Sequence, residues 1–384
     1  MKIALVYDWY TQLGGAEKCN RSINNVWNEV ENFALVDFLS VEQRRAALKN
    51  KTVKTSFIQK LPFARKNYRK YFFFFPLAIE QFDLKDFDII ISSSSSVSKG
   101  VLTNHNQFHV SYIHSPARYA WDLSQDYLKE SGLNNGFKGF LAKTILHYFR
   151  LWDQSTSNRP DFYIANSINV SKRIKKTYNK ECVVIYPPVD VEAFNISNES
   201  SNYFVTSSRM VPYKKIELIV DAFSKTKHNL IVIGDGPEMK RIKKKSTPNI
   251  EIMGFVEKEN MVEIIQKARA FIFMAEEDFG ISPVEAQACG IPVIAFGKGG
   301  ILETILGKFK GEKITPNDTG VFFKKQTKES LLEALDFFID NEEIFNSETI
   351  RDNALRFSTE RFENEIKKIV LDNYNVWLNK KYHK

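Results

Sequence analysis

Cysteine is scarce in this sequence: Cys19, Cys182 and Cys289 are the only three, widely separated and without ligand spacing. That argues against a disulfide framework and against a zinc site, and it fits a reducing compartment. Long apolar runs are also missing. The opening stretch MKIALVYDW is interrupted at Asp8, so it reads as a first strand rather than a signal peptide. The aromatic run Tyr71–Phe75 stops at Pro76, far short of the roughly 20 apolar residues that a membrane-spanning helix needs. No sequence repeat is visible, and the only low-complexity stretch is Ser92–Ser96. Acidic residues are absent between Glu42 and Glu80, although lysine, arginine and aromatic residues crowd that interval.

What is present is globular. Hydrophobic residues make up 43% and charged residues 26%, values that exclude a disordered or fibrous chain. At 384 residues the chain is too long for one ordinary core, so two domains of roughly 150–200 residues each are expected. The formal net charge of +8 invites an anionic partner: nucleic acid, anionic lipid or a diphosphate-bearing substrate.

Apolar runs alternate with helical patterns along most of the chain, the signature of parallel α/β sheets. The first series of strands is expected at Ile3–Tyr7, Ala34–Phe38, Ile89–Ser92, Val110–His114, Phe162–Ala165 and Val183–Tyr186. Pro187 and Pro188 then break the pattern and mark a linker. A second series follows at Tyr203–Ser207, Leu230–Ile233, Ile250–Met253, Ala270–Met274, Pro292–Ala295 and Gly320–Phe323. The end of the chain, 360–384, is expected to be a helix packing back on the first domain, its stripe carrying Phe362, Ile366, Ile369, Val370 and Tyr374. Two Rossmann-like doubly wound domains, 1–186 and 187–359, facing across a cleft, are the expected architecture. Ligands in such sheets sit at the carboxyl ends of the strands.

One strand-end loop is especially informative: EEDFGISPVEAQACG, residues 276–290. Ser282 and Pro283 suggest an N-cap followed by a first-turn proline. Glu277 then lies ahead of a helix and Glu285 within its first turn, so both can reach one ligand. Paired carboxylates suit the hydroxyls of a sugar or a ribose. The amides of Phe279, Gly280 and Ile281 at a helix N-terminus suit a phosphate.

The segment EEDFGISPVEAQACGIPVIAFGKGG closely resembles the donor-binding region of retaining GT-B glycosyltransferases with a two-glutamate motif. More narrowly, it is similar to bacterial mannosyltransferases of O-antigen and surface-polysaccharide assembly. The resemblance extends to VYDW, LGGAE, YIHSPARYAWDL, IANSINVSKRIKKTY, VIYPPVDVEAF, SSRMVPYKKIELIVDAF, IGDGPE and TGVFF. It implies that Arg209 and Lys214 hold the donor diphosphate, where guanidinium and ammonium can stabilise the leaving group in place of a metal. Lys215 stands where the family usually has Gly, adding a second cation. Glu277 is implied to bind the transferred sugar, Glu285 the ribose, and His114 to lie beside the donor sugar near the reacting carbon. Gly14 and Gly15, opening the first helix, are implied to face the donor phosphate and the acceptor, while Gly234 shapes the nucleotide pocket. The resemblance implies a nucleotide-sugar donor, GDP-mannose first and a UDP-sugar as the alternative, a lipid-linked glycan acceptor, and neither cofactor nor metal. A non-catalytic nucleotide-sugar or nucleic-acid binder is the remote alternative; nucleic acid is not an expected partner.

Two further features are set apart. Asp86 and Asp88 have the spacing of a metal-binding pair but immediately precede a strand, so they are expected to cap its entrance. Ser92–Ser96 lacks the Gly-x-Ser-x-Gly elbow of a nucleophile and is expected to be a flexible small-residue loop. The basic and aromatic stretch 44–75 has the composition of an interfacial membrane contact. With lipid-linked acceptors, it leads to the expectation of a cytoplasmic protein peripheral to the inner face of the cell membrane.

Overall fold

A computed structural model describes residues 1–382, and the chain divides into two units, 1–188 with 362–382 and 189–361. Each unit is built on one seven-stranded, fully parallel sheet. In the first, the strands are β1 (Ile3–Tyr7), β2 (Val30–Ala34), β3 (Val53–Thr55), β4 (Ile89–Ser94), β5 (Phe108–Ile113), β6 (Phe162–Ala165) and β7 (Val183–Val184), in the order β3-β2-β1-β4-β5-β6-β7. In the second they are β8 (Tyr203–Ser207), β9 (Asn229–Ile233), β10 (Ile250–Gly254), β11 (Phe271–Phe273), β12 (Val293–Phe296), β13 (Gly307–Phe309) and β14 (Gly320–Phe323), ordered β10-β9-β8-β11-β12-β14-β13. Strand order reverses between β1 and β4 in one sheet and between β8 and β11 in the other. At such a reversal the connecting helices leave to opposite faces, and a crevice opens beyond the strand ends.

The central strands bury both faces, as parallel sheets covered by helices must. Leu5, Ile90, Ile91 and Val110 are fully buried in the first sheet, and Val232, Ile272, Ile294 and Val321 in the second. Helix Thr359–Tyr382 belongs to the first unit from Phe362 onward, and there Phe362, Ile366 and Val370 join Ile3, Leu5, Ile89 and Val110 in one cluster.

Three expected elements differ in the structure. The second strand runs Val30–Ala34, not 34–38, because Asn32 can occupy a buried strand position. Its side-chain amide donates to Asn24 Oδ1 at 3.1 Å and receives Asn24 Nδ2 at 3.0 Å, so a residue that reads as a turn former is fully bonded inside. The short edge strands β3 and β13 were not expected, being too brief for a periodic signal. Ser92–Ser94 are the buried end of β4 rather than a flexible loop. Ser92 Oγ meets Ser111 Oγ and His109 Nε2, each at 2.9 Å. Asp88 accepts the Lys2 amide at 2.7 Å, at the strand-entry end of the sheet and away from the ligand-binding end.

The basic stretch 44–75 is not uniform. Arg44 pairs with Asp37, and Lys54 with Glu31 at 2.6 Å. Tyr68 and Phe75 belong to the core and Phe72 packs against it, whereas Phe63, Phe73 and Phe74 are exposed.

Candidate active site

Arg209 and Lys214 lie in the loop after β8, and Glu277 in the loop after β11, so they meet at the strand reversal of the second sheet. Lys214 Nζ contacts Glu277 Oε1 at 2.6 Å, with both side chains about one-fifth exposed. The ammonium also lies 5.6 Å from the ring centre of Phe273 and 5.5 Å from that of Tyr213. Burial, the largest influence, lowers the Lys214 pKa, but the Glu277 carboxylate and Tyr213 together outweigh it, and the net shift is upward. Arg209, itself exposed, is close enough to oppose that shift with its own positive charge. Two cations and a carboxylate thus share one strand-end crevice.

The loop that carries Arg209 is held from behind. The Ser208 amide donates to Ile233 O at 3.0 Å and the Met210 amide to Asp235 O at 2.8 Å. Gly234 has φ +128°, and a Cβ placed there would stand 1.9 Å from Ser208 O. This turn therefore does more than edge a pocket: its missing side chain lets the cation loop sit where it does. Gly234→Ala is expected to push residues 208–210 outward, destabilising the unit by about 2 kcal/mol and weakening nucleoside diphosphate binding. Chemical denaturation with calorimetry on the same sample checks it; unchanged affinity would show that the loop position is immaterial. Lys215 has φ +56°, in the left-handed region that favours glycine.

Behind Glu277, the Gly300 amide donates to Glu277 O at 2.9 Å, bracing its backbone. The following helix is Ile281–Ala288, and its N-cap is Gly280 with φ +90°, not Ser282. A glycine in that conformation turns the chain sharply enough that Ile281 is already helical, which moves Glu285 into the second turn. Glu285 is buried, 8% exposed. Burial first, and then the Glu285 charge, push the neighbouring Cys289 thiol up to about 12, so it stays protonated. The Phe279 side chain points into the core against Phe357, with ring centres 5.2 Å apart, leaving its backbone as the part that could serve a ligand. Gly280 and Ile281 begin the helix, where amides and dipole favour an anion.

Gly14, Gly15 and His114 belong to the first unit. Gly14 is the N-cap of helix Gly15–Val26, directly after β1, and Glu17 in its first turn accepts from Tyr7 Oη at 2.9 Å. His114 follows β5; its Nε2 lies 2.8 Å from Ser93 Oγ and its amide donates to Ser94 O. Asp8, at the end of β1, had not been singled out. Its buried carboxylate accepts the amides of Ser95, Val97 and Ser98 at 2.7–2.8 Å, fixing the loop beyond β4 at the first reversal. An aspartate directly after the first apolar strand is the signal that could have found it.

Burial pushes the His114 pKa down to about 4, and burial together with the Lys99 charge pushes His109 down to about 3. Both imidazoles are therefore neutral near pH 7. Unfolded histidine titrates near 6.5, so between about pH 6.5 and pH 4 the unfolded chain binds more protons and folding stability falls with acidity. Near pH 5.5 each histidine is expected to have cost roughly 1.4 kcal/mol relative to pH 7.5. Urea unfolding at the two pH values tests this; equal stability would refute it.

Residues 190–355 match the family model of glycosyl transferases group 1, and residues 36–193 match that of glycosyltransferase family 4. Both models are of glycosyltransferases, and together they span residues 36–355. The group 1 match covers the region that carries Arg209, Lys214 and Glu277, and the fold is of the GT-B class. An uncharacterized glycosyltransferase of Methanocaldococcus jannaschii is 29% identical over 235 residues, 59% of this chain and 60% of that protein. The O-antigen chain mannosyltransferase C of Escherichia coli is 25% identical over 207 residues, 48% of this chain and 53% of the relative. The matches thus span little more than half the length of these relatives. Among solved structures, Anabaena HepE in complex with UDP has a TM-score of 0.68 at 18% identity, covering 97% of this chain and all of the other.

Proposed function

We propose that the protein is a retaining glycosyltransferase working without a catalytic metal, which transfers mannose from GDP-mannose to a lipid-linked oligosaccharide of surface-polysaccharide assembly. The Lys214–Glu277 ion pair at the strand reversal, with Arg209 on the same loop, is the observation that carries the reading. In it Arg209 and Lys214 take up the charge that develops on the departing nucleoside diphosphate. Glu277 accepts hydrogen bonds from the sugar and Glu285 from the ribose. The amides at Gly280 and Ile281 add dipolar support, and a neutral His114 can serve the donor sugar as a hydrogen-bond partner. Mannose is favoured by the match to the O-antigen mannosyltransferase. A UDP-sugar donor is the second reading, favoured by the complexes of HepE with UDP and with UDP-glucose.

The same proposal has the protein peripheral to an anionic membrane through residues 44–75. No helix among the described residues is long and apolar enough to cross a membrane. Exposed Phe63 and Phe73 next to Lys66 and Lys70 support a surface contact there.

Turnover of a donor panel with a lipid-linked glycan acceptor, in EDTA, tests the reading. GDP-mannose is expected to be consumed. Consumption of UDP-sugars alone would install the second reading. Activity lost in EDTA and restored by Mn²⁺ would overturn metal independence, and no transfer from any donor would overturn the enzyme.

A further inference from the structure

Helix Gly136–Ser155 turns the wrong side to solvent. Phe149 and Asp153 are buried, and Leu146 and Trp152 pack on the first unit's core. On the opposite side Phe137, Phe140, Leu141, Tyr148 and Leu151 are all exposed, Phe137 by 81% and Phe140 by 69%. At about 100° per residue these five fall within an arc of roughly 100°, centred almost opposite the buried face. A helix needs one apolar stripe to join a core; this one has a second stripe that the fold does not use.

The second stripe does not stand alone. Phe72 packs on Phe149, with ring centres 4.8 Å apart, and Trp152 Nε1 donates to Glu80 at 2.9 Å. These contacts fix the segment Tyr68–Glu80 against the helix. That segment exposes Phe73, Phe74 and Leu77. Cations border the combined surface: Lys138, Lys143 and Arg150 on the helix, and Arg65, Lys66 and Lys70 in and beside the segment. Glu80, at the end of that segment, is engaged by Arg159 at 2.7 Å.

We infer that the outer face of helix Gly136–Ser155, with Phe73, Phe74 and Leu77, is a docking surface for an anionic lipid bilayer, lying in the plane of the interface. The inference deepens the membrane part of the proposal above and rests on it. It extends the apolar anchor from Phe73 and Phe74 of the 44–75 stretch to a helix some 60 residues further along the chain. A lone apolar stripe could be covered by many partners. An aromatic stripe bordered by these six cations matches the acyl boundary and the anionic headgroups together.

Co-sedimentation with phosphatidylglycerol/phosphatidylcholine vesicles and with pure phosphatidylcholine vesicles tests it. The protein should partition onto the anionic vesicles. F137S/F140S/L141S should weaken that partition at least tenfold, with unchanged circular dichroism and unchanged GDP binding, because all three side chains are exposed. R65E/K66E/K70E should weaken it most at low salt, since screening already removes this contribution at high salt. If the helix variant partitions as the wild type does while the charge reversal loses binding, the helix inference fails and the 44–75 contact stands. If the wild type binds neither vesicle, both fail. Loss of a wild-type dimer in the helix variant, with vesicle binding unchanged, would make the stripe a self-interface and overturn the inference.

Discussion

Glu277→Ala is expected to reduce sugar transfer at least a thousandfold while leaving nucleoside diphosphate affinity intact or slightly improved. The expectation comes from the ion pair itself. In the structure Lys214 spends its charge on Glu277 Oε1 at 2.6 Å, and that carboxylate, with Tyr213, lifts the lysine's pKa against its burial. Removing the carboxylate takes away the group proposed to position the sugar, and losses of that size accompany the removal of a positioning or charge-stabilising contact in a partly dry site. It also releases the ammonium toward the diphosphate, which is why nucleotide binding should not fall. Arg209→Ala should behave differently, weakening nucleotide binding and transfer together, because its proposed partner is the phosphate alone. Calorimetry with GDP and single-turnover kinetics on both variants separate the cases. Equal loss of nucleotide affinity in both would reassign Glu277 from sugar to nucleotide.

Much of this arrangement was legible in the sequence because parallel strands advertise themselves. Runs such as IALVY and FYIA are apolar throughout, bounded by polar residues, and coincide with β1 and β6. The loop after such a strand points to Glu277 and Glu285, whereas Arg209 and Lys214 follow from the family resemblance of SSRMVPYKK. What stayed hidden depends on contacts distant in sequence. Asn32 looks like a turn residue until Asn24 is seen to satisfy it across the β1–β2 connection. Gly234 reads as a common turn glycine, and only the approach of Ser208 O shows what its missing side chain permits. Ser282 with Pro283 has the pattern of a helix start, but the helix begins two residues earlier because Gly280 can adopt φ +90°. The outward stripe of helix Gly136–Ser155 was invisible for a simpler reason: spacing says that residues share a face, not which face meets the core.

Lys99→Met should destabilise the first unit by about 3–5 kcal/mol, a drop in melting temperature of roughly 10 °C or more. Lys99 and Asp153 are both fully buried, with Nζ 2.9 Å from Asp153 Oδ1. The ammonium also donates to Asp153 O at 2.7 Å and Thr156 Oγ1 at 2.8 Å, and it lies 4.8 Å from the ring centre of Tyr178. Burial lowers the Lys99 pKa while Asp153 opposes the shift, so the pair persists only because each partner answers the other. Methionine fills the space but leaves a carboxylate without its cation. Replacing both partners by apolar residues should not restore stability here, although it often does for an isolated buried pair. Asp153 Oδ2 also accepts from Trp121 Nε1 at 2.7 Å and Tyr178 Oη at 3.0 Å, and those donors would be stranded. Lys99 lies in the turn whose neighbouring amides are held by Asp8, so the damage should extend to the loop at the first strand reversal. Thermal unfolding of Lys99→Met, Asp153→Asn and the double apolar variant distinguishes these outcomes. A double variant as stable as the wild type would show that Trp121 and Tyr178 find other acceptors and that the network adds nothing beyond its central pair.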